Sequence, residues 1–172
     1  MFQDSRIILG IDPGYGRVGY GLVHKQGSSL SYITAGCIET EKTESPSKRL
    51  YAIYQQLTSL IITNTPDVLA IEQIFFAKNS KTALRVAETR GVLLLLGEEH
   101  RIPMREFTPL QVKVATCGYG KADKKQVQNM IMRIFKLVSP PQPDDAADAL
   151  AIALTAAYTN DWNRMGTTTL DL

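Results

Sequence analysis

Two short apolar runs, each closed by an acid, constrain this chain more than any other feature. Ile7, Ile8, Leu9, Gly10 and Ile11 lead into Asp12, Pro13 and Gly14, while Val68, Leu69, Ala70 and Ile71 lead into Glu72. Runs this short, rich in aliphatic residues and bounded by Pro-Gly or Pro-Asp turn signals, predict strands buried on both faces. Between them Leu50, Ile53, Tyr54, Leu57, Leu60 and Ile61 recur at helical spacing, and Ser45 and Pro46 supply the N-cap and first-turn signals. A strand, a helical crossover and a second strand lie in one sheet and bring both acids to its carboxyl edge. A carboxylate at the edge of a core needs a cation, a metal ion or a turn amide as partner, because unpaired charge is costly to bury. For Asp12 the turn at Pro13 and Gly14 offers such a partner, so this stretch alone leaves turn-capping and a chemical role equally open.

The rest of the chain fills out an α/β pattern. Arg17 to Lys25 alternates as a strand, Gly27 and Ser28 mark a turn, and a third strand runs from Leu30 to about Thr40, which together predict an antiparallel meander. After a loop carrying Phe75 and Phe76, both readable simply as core, a long helix is expected from Ser80 to Arg101. Its Leu93 to Leu96 run is a candidate interface between two copies of the chain, or else core. A short edge strand from Ile102 to Phe107 and a helix from Thr108 and Pro109 to about Gly118 come next. Asp123 caps the helix after that, with Val127, Met130, Ile131, Ile134 and Phe135 on its core face. Pro140, Pro141 and Pro143 break the chain before a last, alanine-rich helix from Asp144 to Tyr158, suited to pack closely on a sheet. One domain over residues 1–160 and a loosely ordered tail over 161–172 are expected.

Apolar residues at 44% and charged residues at 21% fit a soluble globular protein and exclude the disordered and membrane classes. No run reaches membrane-spanning length and the N-terminus does not read as a secretion signal, which predicts a cytoplasmic protein. Cys37 and Cys117 stand apart without a CxxC pair or a neighbouring His, so they are expected to be core thiols rather than a zinc site or a disulfide. The net charge is only +2, yet Lys113, Lys121, Lys124, Lys125, Arg133 and Lys136 face a single acid, Asp123, between Gln111 and Lys136. Such a segment suits a polyanion, although a solvated helix face is the commoner reason for any one charge run.

The last helix opens Asp144, Asp145, Ala146, Ala147, Asp148. At 3.6 residues per turn both Asp145 and Asp144 share a side with Asp148, and spacing does not choose between them. First-turn acids also favour the helix dipole, which suffices for Asp144. Asp12, Glu72 and the helical pair make four carboxylates with no histidine placed for nucleophilic catalysis. If they converge, like charges about 4 Å apart repel by roughly 4 kcal/mol at an effective dielectric near 20, and hard divalent cations relieve that repulsion. Oxygen-only ligands select Mg²⁺ or Mn²⁺, a pair of which can activate water and neutralise the leaving oxygen of a phosphodiester. Gly14, Tyr15, Gly16, Arg17, Val18 and Gly19 do satisfy GxGxxG, but the segment after them is a glycine-rich strand instead of a helix, which argues against dinucleotide binding. The phosphate-gripping hairpin of actin-like ATPases needs a second lobe, for which the chain is too short.

Several motifs in order carry a resemblance. Ile8 to Gly14 with Gly19, Tyr20 and Gly21; Ala70, Ile71, Glu72 and Gln73 with Phe75; Gly91; Gln111, Val112 and Lys113; and Asp145 to Leu150 together resemble the RuvC family of Holliday-junction resolvases, over about Ile7 to Tyr158. The resemblance implies a ribonuclease-H-like α/β fold, a mixed five-stranded sheet with helices on both faces. It implies a homodimeric, Mg²⁺-dependent endodeoxyribonuclease of recombination and repair, with Mn²⁺ as a substitute and two ions per site. Paired symmetric nicks in a four-way DNA junction would leave 5′-phosphate and 3′-hydroxyl ends. By the same resemblance Asp12, Glu72, Asp145 and Asp148 are the metal ligands and catalytic acids, the Asp-Ala-Ala-Asp alignment choosing Asp145 over Asp144. Phe75 would stack on a base near the junction centre. Lys113 and Lys124 match lysines near the scissile phosphate, and Lys121 and Lys125 are expected to contact the backbone. The implied partners are junction DNA, a second copy of the chain and a branch-migration motor. A ribonuclease H acting on hybrids and a catalytically silent junction-binding module are the rival readings.

Overall fold

In the computed structural model, which describes residues 5–73 and 81–159 with the side chains of 81 and 82 left aside, the two acid-terminated runs are neighbouring strands. β1 (Ser5–Asp12) and β4 (Val68–Glu72) pair in parallel, from Ile8 opposite Val68 to Ile11 opposite Ile71. β2 (Arg17–Gln26) and β3 (Ser29–Glu39) complete the antiparallel meander, and β5 (Met104–Phe107) adds a parallel edge beside β4. The resulting order is β3-β2-β1-β4-β5, a mixed five-stranded sheet. Helices α1 (Pro46–Asn64), α2 (Lys81–Glu99), α3 (Pro109–Cys117), α4 (Lys124–Ile134) and α5 (Asp144–Tyr158) make up the rest. Phe75, Phe76 and the expected tail 161–172 lie outside the described residues.

Strand alternation sorts the core into two halves. Leu9, Ile11, Leu22, Leu69 and Ile71 point to α1 and α2, packing on Ile53, Leu57, Leu93 and Leu96. Ile8, Val23 and Ala70 point the other way, to α3, α4 and α5. Each fully buried Leu or Ile contributes about 1.5–3 kcal/mol, so both faces of the sheet are committed to helices. On the second face β1 and α5 approach so closely that only glycine fits: a Cβ at Gly10 would stand 2.2 Å from the Ala149 carbonyl oxygen and 2.6 Å from the Ala153 nitrogen. The alanines of α5 serve the same approach, and the Lys25 ammonium donates to the Ala157 carbonyl at the far end of the helix.

Local signals set the helix ends where the sequence predicts them. Pro46 opens α1 behind the Ser45 cap, Thr108 and Gln111 form a capping box on α3, and Asp123 and Gln126 form one on α4. Three details differ from expectation. α2 stops at Glu99 and β5 starts only at Met104, because Arg101 turns through φ 55° and the Ile102 amide donates back to the Gly97 carbonyl. Leu93 to Leu96 is no uniform stripe: Leu93 and Leu96 are fully buried and Leu95 is 59% exposed, since residues three apart share a helix side. Both cysteines are only half-buried. Among the described residues no helix is long and apolar enough to cross a membrane.

Candidate metal centre and nucleic-acid interface

The alternation that builds the core also aims the acids. Asp12 follows Ile8 and Gly10 on the face of β1 that meets α5, and Glu72 follows Ala70 on the same face of β4, so both project to the α5 side one residue beyond the Ile11–Ile71 pair. Asp12 also sits opposite Gly19 of β2. A Cβ at Gly19 would lie 2.1 Å from the Asp145 carbonyl oxygen, so a bare backbone there lets the first turn of α5 settle onto the sheet edge. That contact brings Asp145, and Asp148 one turn later, over the strand ends. The turn after Asp12 is held from behind by Arg49 of α1, which donates to the Thr40 hydroxyl at 2.9 Å and the Tyr15 carbonyl at 3.2 Å and lies 3.9 Å from the Tyr15 ring centre. Arg49 is buried, and no local pattern announces this role.

Electrostatically the four acids act on one another. Burial, then the charges of Glu72, Asp148 and Asp145, push the Asp12 carboxyl up to about 7, with Lys124 opposing them. Burial and Asp148 raise Glu72, against Lys113 and Lys124; burial also raises Asp148, against Lys124. Asp145 Oδ2 is buried without a hydrogen bond, although Arg17 Nε stands within ion-pair reach at 3.3 Å. Lys124 Nζ lies 2.9 Å from Asp148 Oδ2 and 2.6 Å from Asp144 Oδ2. Among the described residues no three acidic, histidine or cysteine side chains close into a cage for an ion; side-chain cations stand on their oxygens instead. An all-oxygen donor set, mutual repulsion and a buried carboxylate oxygen without a hydrogen bond fit hard divalent cations.

The sequence-predicted residues separate clearly. Asp12, Glu72, Asp145 and Asp148 share one edge, with Lys124 among them and half-buried Lys113 close enough to act on Glu72. Lys121 and Lys125 are exposed on either side of the α4 N-terminus. Asp144 is bound by Lys124 and, at 3.9 Å, by Arg17. Arg17 escapes sequence reasoning: it reads only as the first residue of a strand, and its nearness to Asp145 depends on α5 returning from the far end of the chain.

A mixed sheet clothed by helices, with carboxylates gathered at the carboxyl edge of its central strands, defines a ribonuclease-H-like fold carrying an acidic centre. The family model described as "Crossover junction endodeoxyribonuclease RuvC" matches residues 8–156, and the chain belongs to that family. The protein of that name from Thermosipho melanesiensis is 53% identical over 146 residues, covering 85% of this chain and 93% of the relative. Its namesake from Petrotoga mobilis is 50% identical over 147 residues, covering 86% and 90%. Among solved structures, Thermus thermophilus RuvC superposes with a TM-score of 0.81 at 33% identity, over 94% of this chain and 97% of that one. The same protein in complex with a Holliday junction substrate gives 0.84 at 32%, over 89% and 93%.

Proposed function

We propose that this chain is a structure-selective endodeoxyribonuclease that resolves four-way DNA junctions by paired symmetric nicks, acting in the cytoplasm in recombination and repair. The observation that carries the proposal is the set of four carboxylates on one sheet edge with lysines interleaved, in a chain whose relatives are junction endonucleases and whose structural neighbour holds a Holliday junction. Asp12, Glu72, Asp145 and Asp148 would hold divalent cations, Mg²⁺ or Mn²⁺ and two per site. When bound, these supply an activated water and charge neutralisation at the phosphodiester, leaving 5′-phosphate and 3′-hydroxyl ends. Lys113 and Lys124 would meet the scissile phosphate, Lys121 and Lys125 the neighbouring backbone, and Phe75 a base at the junction centre. Residues 1–160 form one nuclease domain in this reading, with 161–172 as its tail.

A two-fold junction offers two equivalent bonds, and a two-fold dimer places one centre at each. Leu84 and Leu95 of α2 are exposed by 68% and 59%, and Gly91 between them has no atom within 4 Å of a built Cβ. Their spacing sets them on one helix side, a suitable seam for the second copy. Leu95→Glu is therefore expected to yield monomers by sedimentation velocity and to uncouple the two nicks; unchanged dimers would place the seam elsewhere. A branch-migration motor is the remaining expected partner.

The test of the activity is incubation with Mg²⁺ and a four-way junction, a linear duplex or an RNA/DNA hybrid, read on a denaturing gel. Paired nicks in the junction alone support the proposal. Hybrid cleavage would make the chain a ribonuclease H, and binding without cutting a silent junction-binding module.

A further inference from the structure

We propose that Asp144 is a positioning residue that tethers the Lys124 ammonium beside the centre, and is not itself a metal ligand. The inference rests on the reading of Asp12, Glu72, Asp145 and Asp148 as a cation centre. Lys124 Nζ bridges two acids of α5, Asp144 at 2.6 Å and Asp148 at 2.9 Å. These two are one turn apart, whereas Asp145 turns to Arg17. Asp144 is also the more exposed of the pair, 39% against 28%, and is not among the charges that act on Asp12 or Glu72.

Helix geometry explains why a tether is required. Lys124 is the first residue of α4, and that first turn contains no acid. A cation at a helix N-terminus opposes the dipole, and its long stem is free to swing into solvent. The capping box of Asp123 with Gln126 fixes where α4 begins, and so where the stem starts. Asp144, by contrast, stands in the first turn of α5, where the dipole favours a negative charge. When a divalent cation takes Asp148, Lys124 loses one of its two partners. Asp144 keeps it at the edge, directed at an incoming phosphate. Arg17, 3.9 Å from the other Asp144 oxygen, braces the carboxylate from β2. A neutral side chain at position 144 would remove the Lys124 ion-pair partner that is not itself proposed to hold an ion.

Three readouts test this. In a ¹H–¹⁵N correlation of lysine ammonium groups, Lys124 is expected to give a slowly exchanging signal in the parent, with and without Mg²⁺, that Asp144→Asn abolishes and Asp144→Glu retains. In Mn²⁺ titrations followed by electron paramagnetic resonance, Asp144→Asn should stay within about threefold of the parent, whereas Asp145→Asn weakens binding about thirtyfold or more. In single-turnover junction nicking, Asp144→Asn should slow the rate about tenfold, Asp144→Glu should recover most of it, and in a Lys124→Met background Asp144→Asn should add nothing. Mn²⁺ binding lost equally in Asp144→Asn would make it a ligand, and additive effects with Lys124→Met, or an ammonium signal that survives Asp144→Asn, would equally overturn the tether. Intact Mn²⁺ binding in Asp145→Asn would instead break the cation-centre reading, while the ammonium signal would still decide what holds Lys124.

Discussion

Asp12→Asn is expected to lower the rate of junction nicking by about a thousandfold or more while leaving junction affinity within a few-fold. The carboxylate is the one on which the other three act: Glu72, Asp148 and Asp145 all press on it, and burial adds the largest share. Asparagine keeps the shape and removes the charge proposed to draw cations to the edge, whereas the lysines proposed to hold DNA keep their own charge. A gel-shift titration in Ca²⁺ beside a single-turnover nicking assay in Mg²⁺ separates the two effects; nicking at parental rate would remove Asp12 from the centre.

The same residue sets a pH dependence whose sign comes from linkage. The Asp12 carboxyl rises from 3.8 to about 7 on folding. Between those values the folded, ion-free protein binds a proton that the unfolded chain does not, so this group's contribution to stability falls as pH rises from about 4 to 7 and is lost above the folded value. Asp12→Asn should therefore stabilise the ion-free protein at pH near 8 by on the order of 4 kcal/mol and have little effect near pH 4. Urea denaturation in EDTA at the two pH values measures it. Mg²⁺ affinity of the parent should rise across the same window, because the ion must displace the Asp12 proton.

The second large effect is expected at a residue with no side chain. Gly19→Ala places a Cβ 2.1 Å from the Asp145 carbonyl oxygen and 2.6 Å from its carbon, both backbone atoms that no rotamer change can move aside. The first turn of α5 must lift, and displacing a catalytic group by about 1 Å costs roughly a hundredfold in rate. The remainder of α5 stays buried along β1 and β2, so the melting temperature should fall by several degrees, not collapse. Nicking and thermal unfolding measured on the same preparation distinguish this from plain misfolding: an active, merely less stable variant would show that the α5 contact does not set the site.

How much of this was legible in the sequence depends on how local each signal is. The ends of β1 and β4, the Ser45–Pro46 start of α1 and the capping residues Thr108 and Asp123 are written within a few neighbouring residues, and the structure has them there. The repetition of an apolar run closing in an acid pointed to Asp12 and Glu72 lying together. Asp145 against Asp144 was not legible from spacing, because both share a turn with Asp148; the choice came from the family's motif, and in the fold the two differ in that Asp145 lies over Gly19 while Asp144 pairs with Lys124. Arg17 and Arg49 were invisible, since each acts on a partner from another element. Leu93 to Leu96 could not be divided between core and surface, because four consecutive leucines carry no phase; the fold buries Leu93 and Leu96 in the cluster that holds Leu9 and Leu69 and leaves Leu95 exposed.

Glu72, delivered by a second strand far along the chain, is proposed to complete one cation centre with Asp12 and the α5 acids. A Mn²⁺ titration of the parent and of Glu72→Gln, followed by the resonance of the free ion, tests it most directly. Saturable binding is expected in the parent and affinity about tenfold to a hundredfold weaker in the variant, with stability in EDTA not lowered, since burial and Asp148 already disfavour the Glu72 charge. Mn²⁺ binding of equal affinity in both proteins would contradict it.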